Sequence, residues 1–451
     1  MKFIVVGTSH AGYEATETLL QENPDAEVHL YERGSTASFL SCGIQSYLEG
    51  ISKNADQLHY ATEHSFKEQG VIVHMNSDVV GIDAANKTIT VKSEDGESEE
   101  SYDKLFLSPG AKPLELPVPG TDLENAFYVR GRNWAEKIKD RMAESKKAVV
   151  VGAGYIGIEV VEAFAKAGIE VTVIDALDRI LKTYLDKEFT DILEDEMRDQ
   201  GITVRTDEMV KEIVEEDGKV KKVITNKGEY EADTVILSAG VRPNTKWLDG
   251  IIELDKDGTV VVDEYMETSE KDIFAAGDAT KIPFAPTHGG KLIALASNAR
   301  RQAVVAAKNM SDKKMKMPEV TGTSGLSLFS HKFASTGVKD IDSDTVEAEV
   351  TSKFVEEKLR PSFMGDDEKV LMKVHYEKDS HRIVGAQLMS TYDITPAINT
   401  LSVVITAGWT LEQLAFADFF FQPEFNRPWN FLNVLAHQAL EEPYGSDNML
   451  F

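Results

Sequence analysis

The chain has 451 residues, with 76 acidic against 48 basic side chains and a formal net charge of −28. That length predicts several domains with substantial cores, and that charge argues against nucleic acid or an anionic membrane surface as a partner. No apolar run approaches the ~18 residues of a membrane-spanning helix, and one cysteine with no export signal points to the cytoplasm.

Residues 3–6 (Phe-Ile-Val-Val) are a short apolar, β-branched run, expected to be a buried parallel strand. Gly7-Thr8-Ser9-His10-Ala11-Gly12 follows and leads into a helical stretch, Tyr13 to Gln21. This is a dinucleotide-binding turn with Ser9 at the middle glycine, and serine is small enough for a pyrophosphate to approach the helix N-terminus. The next strand, 27–31, ends in Glu32, near the spacing of about 20 residues expected of an acid that binds a ribose hydroxyl. The alternative is an ordinary βαβ turn. His10, inside the turn, is either a structural histidine or a group facing the reactive end of a site.

Ser38-Phe39-Leu40-Ser41-Cys42-Gly43 holds the only cysteine. A lone Cys forms no intramolecular disulfide and no cysteine metal cluster. A chemical role would be that of a single sulfur cycling between thiolate and sulfenic acid. Ile44 to Leu48 reads as a helix start, so the dipole would favour the Cys42 thiolate, and a further electropositive partner is expected. The alternative is an inert, buried thiol.

Short strands are expected at 71–74 and 88–91, then acidic turn-rich sequence from Ser93 to Ser101. A strand and turn at 105–110 follow, with Ser108 and Gly110 in the turn, and then a crossover marked by Pro113, Pro117, Pro119 and Gly120. Residues 147–151 begin a second, cleaner unit. Gly152-Ala153-Gly154-Tyr155-Ile156-Gly157 is a full GxGxxG, Ile158 to Ala167 is helical, and the strand 170–174 ends in Asp175. An acid there favours NAD over NADP, because the extra phosphate would be forced against it; the nearby Arg179 weakens that preference. Tyr155 and Tyr184 are either packing residues or an aromatic lid over a nicotinamide.

Residues 234–240 repeat the strand-then-glycine layout and end at Gly240. Residues 272–278 form an apolar strand ending in Gly277-Asp278; Asp278 is either a ribityl-binding carboxylate or a helix cap. A helix over 295–302 carries Arg300, either a solvated charge or a partner for the His10 region. Beyond residue 320, alternating segments at 334–339, 346–354, 369–376 and 383–389, then helices at 393–407 and 411–417, read as an α+β domain. The aromatic run Phe419-Phe420-Phe421 to Trp429 is either local core or a subunit interface.

Two dinucleotide units, Gly277-Asp278, the single Cys42 in Ser38-Phe39-Leu40-Ser41-Cys42-Gly43 and the C-terminal α+β segment together resemble the pyridine nucleotide–disulfide oxidoreductases. The resemblance covers the whole chain and lies in the single-cysteine branch that contains NADH peroxidases, water-forming NADH oxidases and CoA-disulfide reductases. It implies an α/β fold with two Rossmann-like domains, for FAD and NAD, plus a C-terminal α+β dimerisation domain. The implied divisions are 1–114 and 243–320 for FAD, 115–242 for NAD, and 321–451 for the interface domain. Ser9 to Ala15, Arg130 to Ala135, Gly240 to Thr245 and Asn298 to Arg300 lean toward an FAD-dependent NADH peroxidase that reduces hydrogen peroxide. The alternative is a water-forming NADH oxidase acting on O2. Phe425, where a tyrosine is usual in CoA-disulfide reductases, disfavours that third reading. The resemblance implies FAD at Gly7, Ser9, Gly12, Glu32 and Asp278, and NADH at Gly152, Gly154, Tyr155, Ile156, Gly157, Glu159, Asp175 and Tyr184. Ser108, Gly110 and Gly240 are assigned to cofactor binding, Cys42, His10 and Arg300 to catalysis, and no residue to a metal. A homodimer or homotetramer is implied.

Overall fold

The structure is a computed structural model, and it describes residues 1–365 and 367–442. The first glycine unit builds a five-stranded parallel sheet. Its strand order is Ile273–Ala275, Lys104–Leu107, Lys2–Val6, Glu27–Tyr31, Ile72–His74. Phe3, Val5, Leu30 and Phe106 are fully buried, as expected of short apolar strands covered on both faces. Helix His10–Glu22 packs along helix Ala296–Met310, so the chain's first helix and one nearly 300 residues later share a core with Ala15, Leu19, Ala303 and Ala307.

The second unit repeats the plan. Its parallel order is Thr203–Arg205, Glu170–Ile174, Lys147–Val151, Thr234–Leu237, Ala126–Tyr128. The two crossover segments pair with each other: Ala111–Pro113 lies antiparallel to Val241–Pro243. The C-terminal part is a five-stranded antiparallel sheet, ordered Ser324–Leu328, His331–Gly337, Ile383–Ser390, Lys369–Glu377, Val350–Lys358. Helices Ala397–Thr406 and Phe431–Leu440 cover it.

The structure corrects the sequence reading in several places. Gly96–Ser101, expected to be turn-rich, is the edge strand of an antiparallel three-stranded sheet with Asp78–Asp83 and Thr88–Ser93. Its side chains are mostly exposed, so no apolar alternation marks it. Helices Gly131–Met142 and Lys187–Asp199 have no counterpart in the sequence reading. Among the described residues no helix is long and apolar enough to cross a membrane.

Candidate active site

Both glycine turns close in the same way. In each unit the third glycine lies under the first: a Cβ on Gly12 would stand 1.8 Å from the Gly7 carbonyl oxygen, and one on Gly157 would stand 1.8 Å from that of Gly152. A serine hydroxyl braces each turn. Ser108 Oγ donates to the Val6 carbonyl at 2.7 Å, and Ser238 Oγ to that of Val151 at 3.0 Å. The acid at the end of the second strand pins the turn from the other side. Glu32 accepts from the Thr8 hydroxyl at 2.6 Å and the Gly34 amide at 2.9 Å; Asp175 accepts from the Ala153 amide at 2.6 Å and the Leu177 amide at 2.8 Å.

The helices that follow start without a side-chain cap at Ser9 or Gly154 and carry no acid in their first turns. Their amide groups and the positive dipole end remain open to an anion. Ser9 and Gly154 line one cleft of about 1180 Å³ together with Cys42, Tyr155, Glu159 and Asp278. That volume exceeds the ~300–1,000 Å³ of ordinary small-molecule pockets, and the cleft takes in residues of both glycine turns as well as Cys42.

His10, Ser108, Gly110, Gly152, Ile156, Asp175, Tyr184 and Gly240 line the same cleft. Gly7, Gly12, Gly157 and Glu32 stand behind it, shaping the turns. Asp278 is not a helix cap, because the next helix begins only at Ala296; its carboxylate instead faces Arg130 Nη2 at 3.5 Å. Tyr155 and Tyr184 stack with ring centroids 3.8 Å apart, and the Tyr155 hydroxyl pairs with Ser324 Oγ at 3.1 Å. Arg300 does not line the cleft. It binds the Glu14 carboxylate at 2.7 Å and lies over the rings of Tyr13 and Tyr60.

Cys42 sits in a single 3-10 turn, Ser41–Gly43, ahead of the helix Ile44–Leu48. It opens onto the cleft. The expected thiolate-favouring environment is not what the protein supplies: burial, then the carboxylates of Glu159 and Asp278, push the thiol pKa up, and Arg130 opposes them only in part. A five-residue helix carries too little dipole to offset that. Burial, then Glu162, pushes the Glu159 carboxyl up to about 7. Burial, then Arg300, holds His10 below the usual histidine range. Its ring stacks on Tyr60 at 4.9 Å, and Nδ1 is buried with no partner among the described residues, an open position for a bound group.

Sequence reasoning missed Tyr60, Glu14 and the Arg130–Asp278 pair. No local signal carried them, since each partner lies on a different element.

A family model for "Pyridine nucleotide-disulphide oxidoreductase" matches residues 1–303, and the dimerisation domain of the same family matches residues 324–430. The chain belongs to the pyridine nucleotide–disulphide oxidoreductases. Its cofactors are accordingly FAD and NADH, and it falls in the NADH peroxidase and oxidase branch of that family. It is 46% identical over 444 residues to an NADH oxidase of Enterococcus faecalis, covering 98% of this chain and 100% of the relative. It superposes on a water-forming NADH oxidase from Lactobacillus brevis with a TM-score of 0.95 at 39% identity, covering 98% of both chains. A NAD-dependent persulfide reductase from A. fulgidus shares the architecture at a TM-score of 0.95 and 29% identity, with 98% of this chain and 83% of that one covered.

Proposed function

We propose that this chain is a water-forming NADH oxidase: two NADH and two protons are consumed for each dioxygen, giving two NAD+ and two waters. The observation that carries this is the whole-length likeness to the L. brevis enzyme, in sequence and in fold. It outweighs the lean toward peroxidase taken from Ser9 to Ala15, Arg130 to Ala135, Gly240 to Thr245 and Asn298 to Arg300. When bound, FAD would supply the two-electron redox chemistry that links NADH to oxygen.

In this reading the Gly7–Gly12 turn and the helix after it hold the FAD pyrophosphate, with Glu32 at the adenosine ribose and Asp278 at the ribityl chain. The Gly152–Gly157 turn and Asp175 hold NADH. Glu159 and the Tyr155–Tyr184 stack line the nicotinamide end. Cys42 removes the peroxide formed after the first electron pair. The Cys42 thiol gives up its proton as its sulfur attacks one peroxide oxygen, the O–O bond breaks, and the leaving hydroxide takes up that proton to become water. The sulfur, oxidised by two electrons, is then a sulfenic acid; a second electron pair and two protons return the thiol and release the second water. His10, neutral at pH 7 because its pKa is lowered, contributes a hydrogen bond rather than a charge. The exposed aromatic segment with Phe420 and Phe425, inside the family's dimerisation domain, fits a homo-oligomer in which a partner covers it.

The second reading, an NADH peroxidase, keeps every residue role and changes only the acceptor. Simultaneous recording of NADH loss and oxygen uptake separates them. Two NADH per oxygen with no peroxide released supports the oxidase; NADH loss that requires added peroxide supports the peroxidase.

A further inference from the structure

Asp186 stands two residues after Tyr184 and occupies the N-cap position of helix Lys187–Asp199. An aspartate there ordinarily accepts from its own helix. Asp186 does not: its side chain makes no capping bond. The carboxylate is completely buried and turned into the C-terminal domain. One oxygen accepts from the Asp340 amide at 2.9 Å. The other accepts from Gln387 Nε2 at 2.5 Å and faces His375 Nε2 at 3.1 Å and Lys373 Nζ at 3.3 Å. The Asp186 amide in turn donates to Gln387 Oε1 at 2.7 Å, so the contact runs both ways.

Lys373 and His375 are also buried, on strand Lys369–Glu377, and each has a second carboxylate on Asp340, at 2.7 and 2.9 Å. Glu188 adds a third carboxylate to Lys373 at 3.0 Å. Asp186, Asp340 and His375 form a donor set that would suit a cation, but the Lys373 ammonium already supplies the positive charge. A buried carboxylate this fully bonded is expensive to break and has one geometry.

The placement matters because the neighbouring Tyr184 carries the stack with Tyr155, whose hydroxyl reaches Ser324 of the same C-terminal sheet. The nicotinamide end of the cleft is thus tied to that sheet at two points. We propose that Asp186 is a positioning residue, a latch that locks the NAD-binding unit to the C-terminal domain and fixes the Tyr155–Tyr184 stack at the height the nicotinamide needs. The latch rests on the NADH reading of the second unit and is independent of the final acceptor.

The test uses the FAD-loaded enzyme. Asp186→Asn keeps the shape and removes the charge. Asp340→Asn, at a half-exposed position, loosens the same set without the risk of misfolding. Flavin reduction by NADH is followed anaerobically by rapid mixing, and re-oxidation of chemically reduced enzyme by oxygen is followed separately. The loss of one charge-assisted bond should raise the apparent NADH dissociation constant about tenfold in Asp186→Asn and by less in Asp340→Asn, with re-oxidation unchanged. Combined with Tyr155→Ala, Asp186→Asn should add little, because both act through the stack. Variants that lose thermal stability but keep wild-type reduction kinetics would overturn the latch. A wild-type enzyme whose flavin NADH fails to reduce would overturn the NADH reading and the latch with it.

Discussion

Arg300 is bonded to Glu14, Nη1 to carboxylate, at 2.7 Å, and its guanidinium lies 4.8 Å from the Tyr13 ring centroid rather than against Cys42. Together with burial it lowers the pKa of His10, which lines the cleft. Arg300→Met removes that cation. The His10 pKa should rise toward the ordinary histidine value, read from the ring proton shifts in an NMR titration. Glu14→Gln leaves the guanidinium in place and should not produce the same rise.

The glycine closures give a stability prediction. Gly157→Ala puts a methyl 1.8 Å from the Gly152 carbonyl oxygen and 2.8 Å from the Ser238 hydroxyl, and backbone cannot yield as a flexible side chain would. The helix must back away from the sheet, at a cost of about 3 kcal/mol or more. Denaturant unfolding should show an early transition for the second unit. Gly12→Ala should do the same to the first and release FAD during purification.

Asp175 pins two backbone amides and offers its charge to the NADH ribose in the proposed mode. Asp175→Ala frees both amides and removes the repulsion toward a 2′-phosphate. The KM for NADH should rise by about 10–100-fold, the worth of charge-assisted hydrogen bonds. The KM for NADPH should fall, so that the ratio of kcat/KM values narrows from both sides.

Glu159 gives a pH signature. Its carboxyl holds its proton up to about 7 in the folded chain, against 4.5 ordinarily, because burial disfavours the charge. The unfolded chain loses the proton first. Stability therefore falls as pH rises from about 4.5 to about 7, and the penalty stays constant above that, at roughly 3 kcal/mol. Glu159→Gln should raise Tm at pH 8 and leave it nearly unchanged at pH 4. An equal effect at both pH values would contradict the assignment.

The two glycine units were legible because their cause is local: a strand, a tight turn and a helix start fall within some twelve residues, and the closing acid follows at a fixed distance. Residues 27–31, 147–151 and 170–174 are strands with the expected limits, and a strand over 234–237 opens the 234–240 segment. Cys42 lines the cleft, and composition alone makes it the single cysteine to consider there. What stayed hidden was relational. Glu14 and Arg300 meet only because the first helix packs along one near residue 300. Nothing in the sequence around Asp186, Lys373 and His375 sets them apart, and only the fold shows that they satisfy one another in the interior. The acidic strand Gly96–Ser101 escaped notice because an exposed edge needs no apolar alternation. The thiolate expectation at Cys42 weighed a helix dipole without knowing that two carboxylates stand nearby.

The most direct test of the account is the product released by Cys42→Ser. Serine keeps the turn and its packing but cannot cycle between thiolate and sulfenic acid. The variant should retain FAD and oxidise NADH in air while releasing one hydrogen peroxide for each NADH, and the parent enzyme should release water alone. A Cys42→Ser enzyme that still consumes two NADH per oxygen and releases no peroxide would contradict the role assigned to that sulfur.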